Sequence, residues 1–223
     1  GLSLEVKGPH IKVMNRKLMA DEDGPYIYND SLALEENAPK GLGTRIFTAQ
    51  VAQARHMGIK KIVCNAFRDP HDPTIVGYKV WPKMGYDGEI PFDGPADEDL
   101  GGNAAPPLPK DLEKRIKDAG FEKPYMVSHL YRVDGGQEWW EENGVNFHAT
   151  FDLADDSLSM KVLGAYLEEK AKKAKVTPEE WMSKAAAAKK RKKDEDDSGA
   201  HHENITLDEG DDEVLANVWK SLR

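Results

Sequence analysis

The sequence predicts an α/β fold, and three observations lead there. Between Tyr26 and Phe67 an apolar run, a glycine turn, an amphipathic stretch and a second apolar run follow one another, which is the strand–loop–helix–strand order of an α/β unit. Apolar runs at Tyr125–Val133 and Val145–Leu153 offer two late strands for the same sheet. After Ser157 the pattern changes to helical stripes, a helical extension toward the C-terminus.

Taken in order, Leu2–Val6 alternates apolar and polar residues as a strand does, and Gly8-Pro9 breaks it. Ile11–Val13 and Tyr26–Leu34 read as further strands, separated by the polar turn Asp21–Gly24. Arg45–Met57 reads as a helix. Ile46, Phe47, Val51 and Ala54 fall on one stripe, while Gln50, Gln53 and Arg55 lie on other faces. Gly58 supplies a C-cap, and Ile59–Phe67 is apolar enough for a central buried strand.

Asp87–Pro109 holds five prolines and many acids with little periodicity, and reads either as a solvated linker or as a lid over a ligand cleft. Lys110–Ala119 follows as a helix with Leu112, Ile116 and Ala119 inward. Trp139 and Trp140, being adjacent, cannot share one face of a strand, so the pair points to core packing or to contact of one ring with a cleft, a helix or a partner. Asp155-Asp156-Ser157 offers N-caps for a helix over Leu158–Lys175, whose stripe is Leu158, Val162, Leu163, Tyr166 and Leu167.

Thr177-Pro178-Glu179-Glu180 is a capping box with proline at the first helical position, and that helix continues through Ala188 into Lys189–Lys193. Asp194–Asn204 has the composition of a disordered segment, and a short amphipathic helix is expected near Asp211–Leu222. The expected organisation is a domain over 1–153, a helical extension over 154–193, a linker over 194–210 and a terminal helix over 211–223.

Composition narrows the function. At 39% apolar and 32% charged, 223 residues suffice for one large or two small domains with long polar segments. The net charge of −9 argues against nonspecific nucleic-acid binding, which rests on neutralising phosphates with Lys and Arg. The run Lys189–Lys193 is basic, but Asp194–Asp197 neutralise it at once. Cys64 is the one cysteine, so no internal disulfide forms, and its place in an apolar strand reads as core. No stretch approaches the ~20 apolar residues of a membrane span, and no signal peptide is visible. The expectation is a cytoplasmic protein without nucleic-acid or membrane partners. Asp69-Pro70-His71-Asp72-Pro73 and His201-His202-Glu203 read as a capped turn and a solvated tail, and no metal site is expected.

The chemistry concentrates at Lys40-Gly41-Leu42-Gly43-Thr44-Arg45. A glycine turn opening a helix presents unpaired N–H groups, and the helix dipole favours an anion there. Gly41 and Gly43 let the main chain approach a phosphate closely. A second signal lies about forty residues on, at Trp81-Pro82-Lys83-Met84-Gly85-Tyr86. In order and spacing, the two resemble the GNAT acyl-coenzyme A transferase superfamily, over roughly Tyr26 to Tyr86. In that family a strand ends in a basic Gly-x-Gly loop and helix, followed by a strand and a short helix ending aromatic-x-Lys-x-Gly-aromatic.

The resemblance implies a GNAT-like mixed sheet with flanking helices, and acetyl-CoA or another acyl-CoA as cosubstrate. Its pyrophosphate would lie on Lys40, Gly41, Leu42, Gly43, Thr44 and Arg45. Backbone groups of Leu34 and Glu35 would hold the pantetheine arm and the thioester carbonyl. Glu35 or Glu36 would deprotonate an amine acceptor, since an amine must lose its proton before attacking a thioester. The family's pattern puts Arg or Gln where this chain has Ala38, with Lys40 as the substitute cation. It puts its general-acid tyrosine where this chain has Trp81, so Tyr78 or Tyr86 would have to serve.

About forty residues precede Gly41, room for two or three strands but not for the two helices a complete GNAT domain carries there. With Gly1 rather than Met at the start, the expectation is a chain that is processed, tagged or cut from a longer polypeptide. Two function classes follow: an N-acyltransferase acting on a small-molecule or protein amine, and a GNAT-like module without chemistry. The second would act as a binding or structural part of a larger protein, a larger assembly or a homo-oligomer.

Overall fold

Strand β1 (Leu2–Glu5) pairs antiparallel with β2 (Ile11–Asp21), which pairs antiparallel with β3 (Gly24–Leu34). These are the three N-terminal strands expected, with β2 running on as far as the turn at Glu22-Asp23. The computed structural model describes residues 1–69, 71–72, 74–94 and 100–182. The expectations for Ala185–Lys193, for His201-His202-Glu203 and for a helix near Asp211–Leu222 lie outside the described residues. The protein is α/β, with strands flanked by helices and further helix toward the C-terminus. Its described residues divide into two compact units, Gly1–Lys60 with 153–182, and Lys61–Asp152.

In the first unit β3 leads through a turn into α1 (Leu42–His56). The helix ends as its sequence predicts. Gly58 takes φ 72, its N–H donates to Arg55 O, and the Ile59 N–H donates to Ala54 O, a two-bond stop that only a left-handed residue permits. Phe47, Val51 and Ala54 are buried as the stripe requires. Gln50, expected on an outer face, is buried as well. Its amide and that of Asn29 on β3 exchange two hydrogen bonds, at 2.7 and 3.1 Å, which offsets the cost of removing both from water.

Ser157 caps α6 (Leu158–Ala174), its Oγ accepting the Met160 N–H. The buried stripe of α6 is Met160, Leu163, Gly164, Leu167 and Ala171, rotated from the expected one, so Leu158, Val162 and Tyr166 are only half-buried. At Thr177 both bonds of the capping box form: Thr177 Oγ1 accepts the Glu180 N–H at 3.2 Å, and Glu180 Oε2 accepts the Thr177 N–H at 2.9 Å.

The second unit is built on β4 (Lys61–Ala66) and β5 (Phe147–Asp152), paired antiparallel from Lys61↔Asp152 to Ala66↔Phe147. Strand β4 is buried nearly throughout, and burial pushes the Cys64 thiol pKa well up, so this thiol is core rather than nucleophile. Between the two strands lie α2 (Gly77–Lys83), α3 (Lys110–Asp118), α4 (Val127–Leu130) and α5 (Gly136–Asn143). Helix α3 turns Leu112 and Ile116 inward as expected but leaves Ala119 exposed. The proline-rich connection after Tyr86 carries no strand or α-helix among the described residues. It is nonetheless anchored, with Ile90, Leu100 and Ala105 buried and Ala105 donating to Pro91 O.

One expectation is corrected here. Tyr125–Val133 is not a strand: after a single bridge at Met126 the chain turns into α4. Asp87 Oδ1 accepts the Ser128 N–H and His129 Nδ1 accepts the Met126 N–H, so distant and local side chains together cap the helix start. The tryptophan pair, expected to pack in the core or meet a cleft, helix or partner, lies on helix α5, which turns Trp140 fully into the core and leaves Trp139 half-buried.

Burial, with Arg132 nearby, pushes the His129 imidazole below its ordinary pKa, against the opposing pull of Asp87. The folded state therefore favours the neutral ring, the form whose Nδ1 can accept a hydrogen bond. Its contribution to stability is complete above the ordinary imidazole value near ~6.5 and is lost as pH falls through the lower folded value. Denaturant titrations between about pH 7 and pH 5 are expected to show an acid loss of stability that His129→Gln reduces. An unchanged slope in that variant would assign the loss to other groups.

Candidate functional site

The loop Lys40–Arg45 lies in the first unit, directly after β3. Gly41 is the N-cap of α1 with φ 81 and ψ 2, a left-handed conformation that a side chain resists, and no side chain caps the helix. Leu42 already donates its N–H to Pro39 O at 3.0 Å. An anion at this helix end would therefore have to use the N–H groups of Gly43 and Thr44. Lys40 is exposed, Leu42 and Gly43 are half-buried, and Thr44 is buried.

The two glycines have different reasons. A Cβ on Gly41 would come within 2.6 Å of Trp181 Cζ2, so an indole already fills the space beside that residue. A Cβ on Gly43 would meet only Leu34 Cδ1, at an ordinary 3.6 Å. Among the described residues nothing in the packing demands glycine at 43, although glycine inside a helix costs about 0.5–1 kcal/mol relative to alanine.

Arg45 carries the positive charge on the flank of the loop. Its guanidinium lies over the Trp181 ring, 5.4 Å from the centroid, and its Nε is buried without a hydrogen-bond partner among the described residues. Burial lowers the Arg45 pKa from its high ordinary value, which leaves the group cationic at neutral pH. Trp181 did not stand out in the sequence. The only signal for it was a large aromatic residue directly after a capping box.

Leu34, the last residue of β3, pairs with Ile11. Glu35 and Glu36 follow in an exposed turn. The Glu35 N–H donates to His10 O at 2.9 Å, so it is not free to hold a thioester oxygen. His10 is the third residue of a tight turn, Gly8–Ile11, and takes φ 67, a conformation usually left to glycine. Its ring Nδ1 lies 3.1 Å from Asn37 Oδ1.

Tyr78 and Tyr86 lie in the second unit, and both are buried. The Tyr78 hydroxyl donates to Glu141 O at 2.8 Å, and Arg68 lies over its ring at 5.1 Å. Tyr86 packs edge-on against Trp81 at 5.2 Å and Phe151 at 5.5 Å. The motif around them has a structural reason of its own. Gly85, at φ 100, ends α2 with its N–H on Pro82 O and the Tyr86 N–H on Trp81 O, and the Trp81–Tyr86 contact closes this stop.

At Asp69–Thr74 the acids terminate turns: Asp69 accepts the His71 N–H, and Asp72 accepts both the N–H and the hydroxyl of Thr74. Among the described residues no group of three or more His, Cys, Asp or Glu is placed to hold a metal ion, and no helix is long and apolar enough to cross a membrane. Compared with protein-family models, curated proteins and solved structures, the chain gives no match.

Proposed function

We propose that this chain binds an acyl-coenzyme A at the N-terminus of α1 and transfers its acyl group to an amine acceptor, as the resemblance to GNAT enzymes suggests. The observation that carries the reading is Gly43, a helical glycine with no packing reason among the described residues, on a loop flanked by the Lys40 and Arg45 cations. Pyrophosphate oxygens would accept from the Gly43 and Thr44 N–H groups at the positive end of the helix dipole. Exposed Glu35 or Glu36 would take the proton of the acceptor amine, directly or through water, before the amine attacks the thioester carbonyl.

A second reading rests on a specific observation. Trp81 has no titratable proton to give a leaving thiolate, and the Tyr78 hydroxyl is committed to a backbone carbonyl. That favours a module which keeps the cosubstrate site and has lost the chemistry, within a longer polypeptide or an assembly.

Calorimetry with acetyl-CoA tests the shared part, and release of free thiol over a panel of amines and peptides separates the two readings. The enzyme is expected to release thiol only with acceptor present, faster as pH rises, and Glu35→Gln or Glu36→Gln should lower the rate at least about tenfold if that residue is the base. Binding without turnover on any acceptor would select the module. No heat at millimolar acetyl-CoA would remove both.

A further inference from the structure

We propose that Trp181 is a removable cover on the anion-binding loop, so that the turn Thr177–Met182 must release its indole before a pyrophosphate held by the Gly43 and Thr44 N–H groups can extend over the Gly41 side of the loop. The inference rests on the acyl-CoA reading above and adds a regulatory element to it. Its basis is the volume that the indole fills. Even one added carbon on Gly41 would stand 2.6 Å from Trp181 Cζ2 and 3.0 Å from Cη2. A phosphate oxygen approaching that side of the loop meets the same ring.

The cover is held in a way that a ligand can exchange. Arg45 contacts the indole face through its guanidinium rather than through a hydrogen bond from Nε, which is buried and unpartnered among the described residues. An arginine gains charge-assisted, geometrically matched bonds when a phosphate replaces an aromatic face. The arm itself is stiff where it begins. The reciprocal bonds of Thr177 and Glu180 and the proline at the first helical position fix the direction in which Trp181 projects. Release therefore moves the turn Thr177–Met182 as a piece, and ligand binding at α1 becomes coupled to the position of that turn.

The test uses the full chain and its Trp181→Ala variant, with inorganic pyrophosphate and coenzyme A as calorimetric probes at low salt. When a covered state must open first, the apparent affinity is reduced by the open fraction. Trp181→Ala is expected to bind both probes about fivefold or more tightly. In wild type labelled with 5-fluorotryptophan, the fluorine resonance that Trp181→Phe identifies should move toward its solvent-exposed position on saturation. Equal affinities with an unmoved resonance would overturn the cover and leave the binding site standing. Weaker binding by Trp181→Ala would also overturn it and make the indole a ligand contact. No binding by either protein would overturn the acyl-CoA reading along with the cover.

Discussion

Gly43→Glu is expected to fold as well as the natural chain and to bind acetyl-CoA at least about a hundredfold more weakly. The substitution sits in the first turn of α1, where the only neighbour of a new Cβ among the described residues is Leu34 Cδ1 at 3.6 Å. A carboxylate near a helix N-terminus is favoured by the dipole, and any ordinary residue is a better helix former than glycine. Thermal stability should therefore hold or rise. The binding loss comes from placing a negative charge against a pyrophosphate. At ~4 Å and an effective dielectric constant of ~20, each such pair costs about 4 kcal/mol before screening. Calorimetry and thermal melts on one preparation check both halves. Undiminished binding in a folded variant would move the phosphate site away from α1.

Trp140→Ala is expected to be the most damaging single truncation in the second unit. Trp140 has 0% relative exposure, packs edge-on against Phe147 at 5.4 Å and donates its indole N–H to Tyr78 O at 2.8 Å. Removing it leaves a large cavity, at a cost of about 3–5 kcal/mol. It also leaves the Tyr78 carbonyl without this donor, a further ~1–3 kcal/mol where water cannot enter. Against a typical domain stability of ~5–15 kcal/mol, that is enough to unfold a marginal unit. Trp140→Phe should recover part of the cavity term and none of the hydrogen bond. Denaturant midpoints for the two variants within experimental error of wild type would mean that Trp140 does not organise this core.

What the sequence revealed was mostly what neighbouring residues decide among themselves. The glycine stop at Gly58, the Ser157 cap and the Thr177 capping box each involve groups within a few residues of one another, and each formed as its pattern requires. The segment at Tyr125 was illegible for the opposite reason. Its aromatic and branched apolar residues suit a strand, and the carboxylate that caps the competing helix belongs to Asp87, far earlier in the chain. Gln50 was placed outward because its amide partner, Asn29, sits on a different element.

The candidate site divides the same way. The glycine loop and its position before a helix could be read directly. That Gly41 also makes room for an indole, and that the paired signal ending in Tyr86 is a helix stop, could not, since a glycine's neighbours are set by the fold.

The interrupted course of the first unit bears on the order in which the protein is made. Residues 1–60 leave the ribosome with β1, β2, β3 and α1, but α6 and the Thr177 turn belong to the same compact body and are translated only after residues 61–152. Those intervening residues form a continuous stretch and can complete their own core first. Of the two units, the interrupted one is thus the later to finish. During synthesis, apolar residues such as Phe47 and Val51 wait through the production of an entire second body before their unit is whole. That interval is when a nascent-chain chaperone would have most to protect.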